Sequence, residues 1–291
     1  MRNSHPKILM ALSMAVFGTL PVFVKNIPLS SAEIALYRAV LAAVLTGIYI
    51  AAAKKNAEFK RIRRELPLIL VSGAAMGINW ILLFEAYRYT SVSVATLSYY
   101  FAPVIVTIAC PFLFRERLTA KQIFCFVMAT AGVVLITGVG GLGSGSEIKG
   151  IALGLSAAVF YASVILLNKR IRTVDGINRT FIQFIAAAAV LLPYTAAAGG
   201  FHLMSLDFAG TLSLLAVGFI HTGVTYCLYF SSVTGLTGQQ AAVLSYIDPL
   251  VAVVMSVTVL GESITPLQAA GGLMILGFTL LNEVRIKTNR T

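Results

Sequence analysis

Residues 95–122, ATLSYYFAPVIVTIACPFLFRERLTAKQ, and residues 241–268, AAVLSYIDPLVAVVMSVTVLGESITPLQ, are one stretch written twice. Without a gap, Ala95, Tyr100, Pro103, Glu116, Thr119 and Gln122 fall on Ala241, Tyr246, Pro249, Glu262, Thr265 and Gln268, 146 positions further on. The match reaches back to Leu82 and Phe84, which meet Leu228 and Phe230. The first apolar run repeats as well: LSMAVF at 12–17 returns as LSAAVF at 155–160. The chain is therefore two copies of one unit, and its apolar runs say what that unit is.

Of the 291 residues, 58% are apolar and 11% charged, against about a quarter charged in a soluble domain. That excludes a soluble enzyme, a disordered chain and a disulfide scaffold. The apolar residues fall in runs long enough for a spanning helix, which takes ~20 residues. The runs predict helices at 7–26, 32–53, 66–87, 92–114, 120–138, 149–168, 177–198, 208–230, 237–260 and 266–284. Strands of a membrane barrel would be ~10 residues with alternating polarity, and the runs do not alternate. Ile8 to Val24 has the apolar core of a signal peptide. No soluble domain follows it, so it reads as the first span.

Each copy holds five helices. Five is odd, so the second copy enters the membrane upside down. The expected fold is an all-α integral membrane protein of ten transmembrane helices in two inverted five-helix repeats. The repeats cover 1–138 and 149–291, joined by a Gly/Ser linker at 139–148 that overlaps GVGGLGSGSE (138–147). Such linkers are flexible. The net charge of +11 reflects orientation rather than nucleic acid. Lysines and arginines cluster at 54–64, 115–121, 169–179 and 285–290, on the side that also holds Arg2 and Lys7. Cytoplasmic loops carry such an excess, so both termini are expected in the cytoplasm. Lys25, Arg38, Arg88 and Lys149 stand apart from these clusters.

These residues resemble the drug/metabolite transporter superfamily, EamA type. The resemblance rests on the five-plus-five halves, on Pro103…Arg115-Glu116-Arg117-Leu118, and on Tyr246-Ile247-Asp248-Pro249…Gly261-Glu262-Ser263-Ile264. It covers nearly the whole chain. It implies a central cavity lined mainly by the third, fourth, eighth and ninth helices. It also implies a secondary transporter working by alternating access, often exporting amino acids or other metabolites. The expected location is the inner membrane of a prokaryotic cell.

Several residues stand out for chemistry. Asp248 lies near the middle of the ninth helix, where a charge costs at least about 2.5–3.5 kcal/mol and must face the bundle interior. Its repeat mate is Ala102, so the fold does not require it. His221, Asn79 and Trp80 sit at similar depth, and a bond between Asp248 and His221 is one expectation. Thr96, Tyr99, Tyr100, Tyr226, Tyr229 and Tyr246 gather there too, with Ser98, Thr222, Gln239, Gln240 and Ser245. Buried hydroxyls need partners, so these residues line either a wet substrate cavity or a packed core. Lys25, Arg38 and Glu85 are candidate rim or coupling charges. Arg38 either pairs with Glu33 beside a snorkelling Lys25, or helps form a positive rim that attracts a carboxylate. Glu85 and Arg88 form either an intrahelical pair or a vestibule for a zwitterion. Glu116 and Glu262 read as structural groups at helix termini, each followed by a capping signal, Thr119…Gln122 and Thr265…Gln268. Gly73–Gly77 and Gly150–Gly154 permit close helix approach.

No phosphate loop, metal pair or activated nucleophile is present, so neither catalysis nor a cofactor or metal is expected. The partners implied are a small-molecule solute and lipid. Uptake of an organic cation such as choline is the rival reading, with Asp248 as counter-charge and Trp80 among the cation–π faces. A channel or lipid scramblase is a further one. A channel would need rings of like residues along one pore. The charge bias makes a direct prediction: single cysteines at positions 56, 118 and 174 should label from the cytoplasm, and those at 144 and 203 from outside. Cytoplasmic labelling of position 144 would overturn the inverted arrangement.

Overall fold

A computed structural model describes residues 4–53, 59–114, 119–137, 145–171, 173–233, 235, 236, 241 and 244–283. These residues form helices joined by short turns, with no strand among them. In chain order the helices are α1 (Ser4–Lys25), α2 (Ser31–Ala52), α3 (Phe59–Tyr89), α4 (Val92–Tyr99), α5 (Ala102–Phe114) and α6 (Ala120–Thr137). Then come α7 (Gly145–Arg170), α8 (Gly176–Ala197), α9 (Phe208–Leu215), α10 (Thr225–Val233), α11 (Ile247–Thr258) and α12 (Pro266–Glu283). A π-helical segment, Ala216–Val224, joins α9 to α10. Among the described residues, seven helical stretches are long and apolar enough to cross a membrane, and three shorter apolar helices accompany them. Large apolar side chains such as Phe208 and Leu273 are 84% and 72% exposed on the outer surface. A belt of that kind is stable against lipid rather than water.

Three boundaries differ from the sequence expectation, each for a local reason. The third helix begins at Phe59, not 66. Its first turns are charged and carry no apolar signal, yet Ile62 packs against Ile69, Ile171 and Val174. The linker expected at 139–148 gives way to helix at Gly145. There the Ser146 hydroxyl donates to the Tyr89 carbonyl, and Glu147 accepts from Gln268. The fourth helix is not continuous. It breaks at Tyr100 and Phe101, just before Pro103, which lacks the N–H a continuing helix would use. A turn interrupts the helical residues of the second copy at Tyr246, ahead of Pro249. Tyr100 and Tyr246 are repeat mates, so the two breaks are one feature in two copies.

The helices pack in a few extensive pairs. α3 lies against α7 and α8, α6 against α12, α2 against α8 and the π segment, and α1 against α10 and α11. The glycine expectation holds for both pairs. A Cβ on Gly73 would strike the Gln183 carbonyl of α8, and one on Gly150 or Gly154 would strike Thr90 or the Ala95 carbonyl at the start of α4.

Glu262 ties one end of the bundle together. One carboxylate oxygen meets Lys25 Nζ at 2.6 Å. The other accepts from the Val92 backbone N–H at 2.7 Å and from the Ser256 hydroxyl at 2.5 Å. Ser93 donates in turn to Ser256 at 2.8 Å. The ends of α1 and α11 and the start of α4 therefore share one anion, and α4 begins on it as a helix N-terminus should. This bears out the structural reading of Glu262. Lys25 is ion-paired rather than merely snorkelling. Glu116 lies outside the described residues. Glu262→Ala should lower the melting temperature in detergent clearly, because each buried donor left unsatisfied costs about 1–3 kcal/mol. Lys25→Ala, which removes only a partly solvated pair, should lower it far less.

Candidate functional site

Arg38 lies eight residues after the α2 N-cap Ser30 and is only 3% exposed. Its guanidinium carbon sits 4.4 Å above the Trp80 ring and 5.7 Å from that of Phe84, both on α3. Nε donates to Thr222 Oγ1 at 2.6 Å. Among the described residues this is its sole hydrogen bond, and no carboxylate lies within ion-pair distance. Neither Nη nitrogen has a hydrogen-bond partner among the described residues. Arg38 is thus neither paired with Glu33 nor part of a surface rim. Glu33 caps its own helix with Ser30 and accepts from the His202 N–H at 2.6 Å. The matching position on α8, eight residues after the N-cap Asp175, is Gln183. The Gln183 amide nitrogen donates to Ser72 at 2.7 Å and Asn168 at 2.8 Å.

Asp248 stands in the first turn of α11, where the helix N-terminus favours an anion. Its Oδ2 accepts from the Tyr100 hydroxyl at 2.5 Å, so the two repeat breaks meet through this bond. The Asp248 and Arg38 charges act on each other electrostatically without touching. Aromatic rings cluster around these residues. Tyr99 packs on Tyr100 and stacks on Tyr161 at 5.1 Å. Phe184 bridges Trp80 at 6.0 Å and Tyr226 at 5.5 Å. Phe17 closes on Tyr226 at 5.2 Å.

The other candidates distribute as follows. His221 and Asp248 do not bond to each other. His221 shares a 2.9 Å hydrogen bond with Thr19 on α1, and its Nδ1 lies 3.0 Å from the Ala216 carbonyl. Asn79 donates to the Ala157 carbonyl at 2.7 Å and so joins α3 to α7. Thr96 is buried in α4, and Tyr246 packs with Val94, Leu97 and Ile275. Glu85 accepts from Ser31 at 2.6 Å, and Arg88 approaches it only to 3.9 Å. Gln239 and Gln240 lie outside the described residues. No group of three metal-binding side chains occurs among the described residues.

Two clefts open at the Lys25 end. One, of about 550 Å3, is lined by Lys25, Ser31, Glu33, Ile34, Phe84, Tyr87, Arg88 and His202, among others. Phe84 lines this cleft, and its ring centroid lies 5.7 Å from the Arg38 guanidinium carbon; Arg38 itself does not line either cleft. The neighbouring one, of about 470 Å3, lies between Lys25, Arg88, Ser91 and Glu262.

Sequence reasoning placed Thr222 at this depth but not against Arg38, and it missed Tyr161, Phe184 and Phe17. The partnership of Thr222 has a sequence signal in a spacing: the second copy has one residue more between two glycines than the first.

The profile of the EamA-like transporter family matches this chain twice, over residues 6–138 and 148–283. An uncharacterized transporter of Bacillus subtilis, YxxF, is 30% identical over 98% of this chain and 91% of its own. A probable amino-acid metabolite efflux pump of Salmonella typhimurium is 25% identical over 85% of this chain and 87% of its own. A solved structure superposes with a TM-score of 0.66 at 17% identity over 96% of both chains, which speaks to fold alone. Built of apolar helices and matched by this family along nearly its whole length, the chain is a multi-pass membrane protein and belongs to the EamA-like transporter family.

Proposed function

We propose that this transporter moves zwitterionic solutes, amino acids or closely similar metabolites, out of the cell by alternating access. The observation that carries the reading is Arg38. A buried guanidinium with no carboxylate beside it is costly in a membrane interior. A solute carboxylate would supply the missing counter-charge in bidentate form. Asp248 with the faces of Tyr99 and Tyr226 would take the ammonium group. The Salmonella relative, named for amino-acid metabolite efflux, agrees with this class. Uptake of an organic cation such as choline would use Asp248 but leave Arg38 opposing the substrate.

Ten spans in two inverted repeats, with cytoplasmic termini, suit the packing. If the first five spans are exchanged for the last five, α3 on α7 becomes α10 on α1. Likewise α3 on α8 becomes the π segment on α2, and α5 on α7 becomes α11 on α1. The pairs α2–α8 and α6–α12 return to themselves. Every pair is present. The broken helices carry N-termini toward the centre, as in other secondary transporters. On this reading the Lys25 end is outside, and the Glu262 bonds hold that side together. The chain works as a carrier, without catalysis, in the inner membrane.

Thermal-shift measurements on purified protein with the twenty L-amino acids, their amides and the corresponding amines test the solute class, since a selective ligand stabilises the state it binds. At least one amino acid should raise the melting temperature. Its amide and amine should do so at least tenfold more weakly, a gap of about 1.4 kcal/mol. Arg38→Gln should abolish both the shift and counterflow in proteoliposomes. Stronger stabilisation by amines than by acids would overturn the reading in favour of a cation carrier.

A further inference from the structure

The two copies cross their partner helices in the same way but with different spacing. On α3, a Cβ at Gly73 would strike Ala186 of α8 at 2.7 Å, and Gly77 faces Ala187 and Leu191. In the second copy, Gly218 faces Leu41 of α2, the repeat mate of Ala186, and Gly223 faces Leu45. Gly73 and Gly77 are four apart, GAAMG, whereas Gly218 and Gly223 are five apart, GFIHTG. One residue has been inserted. On an α-helix, residues five apart point about 140° away from each other, and only one of the two glycines could face α2. The π-helical segment Ala216–Val224 absorbs the extra residue and keeps both glycines on the crossing. Such bulges frequently mark functional sites.

The insertion also changes what lies between the glycines. The first copy has Ala74, Ala75 and Met76 there. In the second, His221 and Thr222 are both buried, at 2% and 0% exposure, and face different helices. His221 reaches Thr19 of α1. Thr222 donates to the Val217 carbonyl, five residues back, at 2.7 Å. With its proton so committed, its oxygen can only accept, and it accepts from Arg38 Nε.

We infer that the inserted residue of the eighth span makes Thr222 a positioning residue, fixing the Arg38 guanidinium over Trp80 with both Nη groups presented to the solute carboxylate. This rests on the carboxylate role proposed for Arg38 and adds the device that orients it. Thr222 does not itself touch the solute.

Thr222→Val keeps the shape and removes the acceptor, while Thr222→Ser restores it. Two readouts separate the possibilities. The first is the preference for an amino acid over its amide among the twenty L-amino acids and their amides. Thr222→Val should lose about tenfold of that preference, the scale of one charge-assisted hydrogen bond, and Thr222→Ser should keep it. The second needs no solute: the rate at which p-hydroxyphenylglyoxal modifies Arg38, followed by peptide mass spectrometry. That rate should change at least threefold in Thr222→Val and stay at the wild-type value in Thr222→Ser. Deleting Ile220, which gives the second copy the spacing of the first, should reproduce the Thr222→Val behaviour if the variant folds. Unchanged preference and unchanged labelling in Thr222→Val would overturn the inference while leaving the role of Arg38 intact. If the wild type ignores the carboxylate altogether, the role of Arg38 falls. The labelling rates then still decide whether Thr222 holds the guanidinium.

Discussion

A full positive charge on Arg38 is held inside an apolar bundle by two aromatic faces and one hydroxyl. A guanidinium is less strongly hydrated than an ammonium and stacks on rings, so arginine can occupy such a place where lysine would be poorly held. Much of the surrounding architecture serves to make the place. α3 brings Trp80 and Phe84 beneath the charge. The second copy brings Thr222 to its edge. Asp248 is held by Tyr100 and makes no direct ion pair with Arg38. The absence of a direct ion pair matters, because a paired guanidinium would have little left to offer a solute.

The site lies where the two copies differ. Repetition supplies the frame: matched glycine crossings, matched breaks at Tyr100 and Tyr246, and matched prolines. Function then enters through departures from the repeat. The Gln183 amide nitrogen finds two acceptors, while Arg38 at the equivalent position leaves two nitrogens open. Ala102 is apolar, while Asp248 at the equivalent position puts a carboxyl group on a helix N-terminus. α3 is regular, while its counterpart carries a π segment. An inverted repeat alone would be symmetric in charge. These exchanges place a cation on the first copy and a carboxyl group on the second, the pattern on which the proposed zwitterion reading rests.

The bond from Tyr100 to Asp248 crosses between the two broken helices, and Glu262 joins α1, α4 and α11 at one end. Both connect elements of different repeats. Movement of one half of the chain against the other would have to break these contacts.

What the sequence determined by itself was set by composition and period. Apolar runs of spanning length, a gapless repeat and clustered lysines and arginines established a helical membrane protein, its family resemblance and the depth of Asp248, Trp80 and His221. Depth along a helix is a linear property and can be counted. Direction around the helix and partners across it cannot, because the three-dimensional crossing sets them. Arg38 and Glu33, five apart in sequence, suggested a local pair, yet their side chains go to Thr222 and to Ser30 and His202. His221 and Asp248 share a depth and bond elsewhere. Only the tertiary structure decided these pairings. A one-residue insertion rotates a helix by about 100°, and whether the helix turns or bulges depends on the neighbour against which its glycines must pack.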